Sequence, residues 1–172
     1  MRMKKLSKKT LILAILAVAI AAVAILLIVS ATGVSERTQF NSRSLMDWHL
    51  GSSIDSVKSA EDAHSYDTAH YKWFSDEKGE GLKVIGSDTK YYLSDALGGY
   101  KVTGFASSEE NYSVMGIRVG SDELESKKLL MDAQYVVVGG GLNSCRAEKG
   151  CVTIELFFEH GSVTEISAFI NK

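Results

Sequence analysis

The sequence predicts an α+β chain in two parts: an N-terminal transmembrane helix, then an exported domain of two similar helix-plus-antiparallel-sheet units. Three observations lead there. An apolar run of 19 residues, Leu11–Val29, follows a basic start. Beyond it, strand-length segments separated by glycine turns outnumber helical ones. Two short elements of the exported part also recur in the same order.

Taken in order, residues 1–10 carry Arg2, Lys4, Lys5, Lys8 and Lys9 and no acid, which marks a cytoplasmic basic segment under the positive-inside rule. Residues 11–30 then read as a transmembrane signal-anchor helix. At about 1.5 Å per residue the apolar run reaches roughly 28 Å, close to a bilayer's hydrocarbon thickness. The expected localisation is single-pass in the cell membrane, with the membrane as one partner and the C-terminal domain extracytoplasmic. Val29-Ser30-Ala31 offers the small residues a signal peptidase accepts. The run is longer than the roughly 7–15 residues of a secretory apolar region, which favours a retained anchor, and both readings export the rest. Residues 31–44 are polar and read as a tether.

Charge differs across the expected membrane. The net −2 divides into +5 in the first ten residues and −7 over 34–172, where 14 Lys and Arg face 21 Asp and Glu. An acidic domain lacks the clustered cations that neutralise phosphates, so nucleic acid is excluded as a partner.

Residues 45–172 form the extracytoplasmic α+β domain. A helix is predicted over 53–62 behind a serine cap, then strands at 69–74, 81–86, 89–95 and 100–107. A strand at 112–119, a helix over 122–133 and strands at 135–139, 143–147, 151–159 and 163–171 follow. Trp48-His49-Leu50-Gly51-Ser52 matches Ile117-Arg118-Val119-Gly120-Ser121 at a separation of 69, and Val102-Thr103-Gly104-Phe105-Ala106-Ser107 matches Val163-Thr164-Glu165-Ile166-Ser167-Ala168 at 61. These pairs outline repeats at 46–108 and 112–172.

A hydrophobic-Gly-Ser element opening a helix, then antiparallel strands ending in a Gly-turn hairpin, twice over, resembles the tandem fold of the β-lactamase inhibitor protein family. A single unit also resembles the small outer-membrane lipoprotein domain SmpA/OmlA. The resemblance spans residues 46–171. It implies one curved antiparallel sheet with helices on one face, and a binding role exercised through protein contacts. Two features depart from it: no lipobox cysteine follows the apolar run, and the Gly-x-Pro of the lipoproteins cannot occur in a chain without proline.

Cys145 and Cys151 flank Arg-Ala-Glu-Lys-Gly, a spacing that allows a disulfide across a hairpin in an oxidising compartment. Two reduced thiols are the alternative. Tyr66, Tyr71, Trp73, Tyr91 and Tyr100 are the candidate protein-binding aromatics, since Tyr and Trp are enriched at interface hot spots. Packing in the sheet is their other reading. His64 and His70 beside Asp62 and Asp67 have no standard metal-ligand spacing. Gly139-Gly140-Gly141 lacks the lysine and following helix of a phosphate loop. No Gly-x-Ser-x-Gly elbow is present. No cofactor, metal or catalytic residue is therefore expected. The expected function is a non-catalytic protein-interaction module of the cell envelope whose partner is another envelope or secreted protein. The alternatives are a small-ligand-binding or sensory ectodomain and an envelope hydrolase.

Overall fold

The computed structural model describes residues 18, 36–44, 49–64, 71–96 and 99–171. Helix α1 (Ile54–His64) precedes strands β1 (Tyr71–Asp76), β2 (Gly79–Val84), β3 (Lys90–Ala96) and β4 (Gly99–Ser107). Helix α2 (Glu123–Asp132) precedes β5 (Val136–Gly139), β6 (Ser144–Lys149), β7 (Val152–Glu159) and β8 (Ser162–Ile170). The described strands make one eight-stranded antiparallel sheet ordered β1-β2-β3-β4-β8-β7-β6-β5.

Two expectations are corrected here. The α+β class gives way to a mainly β structure, because eight strands joined through the central β4–β8 pair dominate the described residues and the short helices are minor elements. The transmembrane signal-anchor, the membrane as partner and the single-pass localisation are corrected as well: among the described residues no helix is long and apolar enough to cross a membrane. Helices α1 and α2 have 11 and 10 residues. At about 1.5 Å per residue they reach about half of a roughly 30 Å hydrocarbon core. The expected span itself, residues 11–30, lies outside the described residues apart from Val18.

The elements follow from local chemistry. Asp122 caps α2 by accepting a hydrogen bond from the Glu125 amide at 2.9 Å, and Glu123 and Glu125 meet the positive end of the helix dipole. β7 and β8 alternate apolar and polar residues and join through His160-Gly161, both at positive φ, the two-residue turn that matches strand twist.

The same turn sets the entry to both central strands. Gly51 and Gly120 adopt φ of +92° and +87°. The Gly51 amide donates to the Val102 carbonyl at 2.7 Å, and the Gly120 amide to the Val163 carbonyl at 2.7 Å. Val102 N donates back to Ser52 O at 3.0 Å and Val163 N to Ser121 O at 2.9 Å. The Ser52 hydroxyl accepts from His49 N and the Ser121 hydroxyl from Arg118 N. Both Gly-Ser turns thus pin a helix start to a valine of a central strand, Val102 of β4 and Val163 of β8.

The core lies between the helices and one sheet face. Directly opposed residues of antiparallel strands point the same way. The row Trp73, Leu82, Tyr91, Phe105, Ala168, Ile154, Ala147, Val137 therefore crosses the whole sheet on this face. Its middle members are buried and meet Val57 of α1 and Leu130 of α2.

Residues 36–43, read from composition as tether, are helical, and Phe40 is fully buried. Their polar side chains reach the turn that precedes α1 and the β6–β7 hairpin. Asn41 exchanges hydrogen bonds with the backbone of Leu50, Glu36 accepts from Cys151 N at 3.1 Å, and Gln39 accepts from Lys149 Nζ at 2.7 Å. The segment 112–119 is not a strand: Val114 and Ile117 bridge each other around Met115 and Gly116, both at positive φ.

The disulfide is also corrected. The β6–β7 turn falls at Gly150-Cys151, because Lys149 pairs with Val152, while Cys145 pairs with Leu156. Cys145 thus lies four residues up the strand from the turn, about 13 Å at strand rise, whereas a bridge needs Cα atoms within about 7 Å. Neither cysteine is in a disulfide.

Candidate interaction face

The sheet face opposite the helices is built around a second cross-strand row. Phe74 of β1 opposes Gly81 of β2, which opposes Tyr92 of β3, then Gly104 of β4, then Phe169 of β8 and Thr153 of β7. Aromatic residues and glycines alternate along it. The missing side chains let rings two strands apart touch: Phe74 and Tyr92 centroids lie 5.3 Å apart over Gly81, and Tyr92 and Phe169 lie 5.1 Å apart over Gly104. Edge contacts of this kind contribute roughly 0.5–1.5 kcal/mol beyond burial. A Cβ at Gly104 would stand 2.4 Å from the Phe169 ring, and one at Gly81 1.8 Å from the Tyr91 carbonyl oxygen.

Charges frame these rings. In the β1–β2 turn, Asp76 accepts hydrogen bonds from Lys78 N, Lys90 Nζ and Tyr92 Oη at 3.0–3.1 Å. Burial works to raise the Asp76 pKa, but these donors together hold it below the usual carboxylate value. Burial, reinforced by the Asp76 carboxylate, pushes the Tyr92 hydroxyl well up. The turn leans over the sheet: Lys78 Nζ pairs with Glu155 of β7 at 2.6 Å and sits 5.5 Å and 5.1 Å from the Phe157 and Phe169 ring centroids. In a flat sheet β2 and β7 would be about 19 Å apart, four spacings, so this face is concave. Arg146 pairs with Glu148 at 2.8 Å and Glu155 at 3.2 Å, and its Glu148 bond raises its pKa further. A groove of about 810 Å³ runs along this face, lined among others by Lys78, Glu80, Tyr92, Asp95, Arg146, Glu155 and Phe169.

The aromatics singled out from sequence are scattered by the structure. Tyr91 is fully buried on the core face, where its hydroxyl meets that of Tyr112 at 3.1 Å. Tyr71 is half-buried against the core. Trp73 and Tyr100 are brought together, 5.6 Å apart and 45% and 43% exposed. Trp73 belongs to the core-face row, not to the groove. Tyr66 lies outside the described residues, as do the side chains of Asp62, His64, Asp67 and His70. Sequence reasoning missed Phe74, Tyr92, Phe157 and Phe169. The available signal was glycine inside two strands, at 81 and 104, which marks a close approach of neighbouring groups.

Burial raises the pKa of both Cys145 and Cys151, which disfavours the thiolate. Gly139-Gly140-Gly141 connects β5 to β6, and a strand follows it where a phosphate loop has a helix. Among the described residues no three His, Cys, Asp or Glu side chains gather as metal ligands would. The chain matches no protein-family model, no curated protein and no solved structure.

Proposed function

We propose that the protein is a non-catalytic interaction module that grips another protein on the helix-free face of its sheet. The observation that carries this reading is the row of rings closing over Gly81 and Gly104. Phe74 of β1 and Phe169 of β8, both partly exposed, are held by the buried Tyr92 of β3 between them and lie within a charged rim, the composition of an interface centre and its surround.

The test is photo-crosslinking in cells, with the reactive residue placed at Glu80 or Asp95 on the groove and at Leu124, which is exposed on α2. The reading expects one protein captured from both groove positions and not from Leu124. Absence of any groove capture, together with substrate turnover by the purified full chain, would overturn it.

A further inference from the structure

The β1–β2 turn places a cation where an incoming side chain would be expected to bind. Lys78 is not needed to close the hairpin. The turn is held by Asp76, which accepts from the Lys78 backbone amide, and by the pairing of Asp76 with Gly79. The Lys78 side chain instead crosses to the other half of the sheet. There its ammonium finds two aromatic rings at 5.1–5.5 Å and one carboxylate oxygen at 2.6 Å. Ring faces with a carboxylate beside them are the chemistry that recognises ammonium and guanidinium groups.

The occupant can be exchanged. The Lys78 side chain is 37% exposed and that of Glu155 17%, so the ammonium is the partner that solvent and an incoming cation reach. The other Glu155 oxygen already accepts from Arg146, at 3.2 Å, so the carboxylate stays in place when Lys78 leaves. The groove is then acidic, with Arg146 alone against Glu80, Asp95 and Glu155. Among the described residues Glu80 and Asp95 have no basic side chain within ion-pair distance.

We infer that Phe157, Phe169 and Glu155 form a receptor for a lysine or arginine side chain of the partner protein, and that Lys78 occupies it until the partner displaces it. This rests on the interaction reading above and adds the partner's chemistry: a basic residue enters the cage while the acidic groove receives its surroundings. Because Lys78 competes from within the same molecule, the resident cation sets a threshold that excludes weakly basic or neutral partners.

The experiment uses the full chain and three small probes, N-acetyl-arginine amide, N-acetyl-lysine amide and N-acetyl-norleucine amide, followed by NMR shifts of the aromatic ring protons. Lys78→Met keeps the aliphatic stem and removes the charge. It is expected to tighten binding of both cationic probes about tenfold over the natural chain, with the norleucine probe unchanged. Glu155→Gln in the Lys78→Met background is expected to abolish that gain. Melting temperatures of both variants within a few degrees of the natural chain establish that the fold persists. If Lys78→Met binds the three probes equally, or binds none, the inference is overturned. It is also overturned if Glu155→Gln leaves the gain intact. A partner captured from the groove whose affinity ignores both substitutions would overturn the cage and leave the interaction reading standing. Probe binding as expected without any groove capture would do the reverse.

Discussion

The two halves of the sheet share a backbone frame and differ in what they place on it. In each, a Gly-Ser turn makes the same set of hydrogen bonds to a valine of a central strand. In each, a side-chain oxygen caps the next helix, Ser53 accepting from Ser56 N and Asp122 from Glu125 N. Four residues past the cap, however, α1 buries Val57 while α2 buries Ser126, whose hydroxyl has no hydrogen-bond partner among the described residues. On the helix-free face the first half supplies Phe74, Tyr92 and the two glycines beneath them, and the second supplies Phe157, Phe169, Glu155 and Arg146. The outer strands differ too. β1 carries Lys72 and Asp76, the charges that discourage edge pairing, whereas β5 exposes Val136, Val137 and Val138 and relies on its shortness and a bulge. Backbone hydrogen bonds tolerate this divergence because they specify geometry without specifying side chains.

That contrast can be broken most severely at the segment joining the halves. Phe40→Ala removes a fully buried ring from the helix that contacts both, and is expected to cost about 3–5 kcal/mol in urea unfolding. A single cooperative transition should remain. The paired helix positions sharpen the comparison next: Val57→Ser is expected to cost about 2 kcal/mol, and Ser126→Ala to gain about 1 kcal/mol, because one creates and the other removes a buried hydroxyl. Opposite signs at equivalent positions are the expected signature. The shared turns should respond alike. Gly51→Ala and Gly120→Ala each force an L-residue into the left-handed region and should cost about 1–2 kcal/mol. Gly51 should cost slightly more, since its new Cβ would stand 3.0 Å from Arg37 Nη1 while Gly120 faces open space.

The smallest effect is one of pH. The folded Asp76 pKa is held below the usual carboxylate value, so the stability it contributes is present above about pH 4. That contribution is lost as pH falls through the depressed value. Asp76→Asn should therefore lower the melting temperature at pH 6 and flatten its decline between pH 4 and pH 2.5.

Much of this frame was legible in the sequence because short-range patterns carry it. The segment 151–159 with 163–171 was read as a hairpin and appears as Val152–Glu159 with Ser162–Ile170. The helix expected at 122–133 appears as Glu123–Asp132, since acidic caps and alternation are local signals. What failed depended on distant pairing. Merging of the strands into one sheet requires the β4–β8 contact, invisible in either segment alone and implied only by the family resemblance. Tyr91 was picked and its neighbour Tyr92 passed over because period-two alternation assigns faces only once the register is known. Placing Cys145 against Cys151 failed by misplacing a turn by two residues. Phe40 is the single apolar residue of 36–43, which gives that stretch no periodicity.

Binding through the helix-free face or through the helices separates the two sides of the sheet most directly. Calorimetric titration of the groove-captured protein against the full chain, Phe169→Ala and Leu124→Ala measures this in one experiment. Phe169→Ala is expected to weaken Kd about tenfold or more, the loss typical of a central aromatic anchor, while Leu124→Ala leaves it unchanged. An unchanged Kd for Phe169→Ala beside a tenfold loss for Leu124→Ala would place binding on the helices and contradict the account.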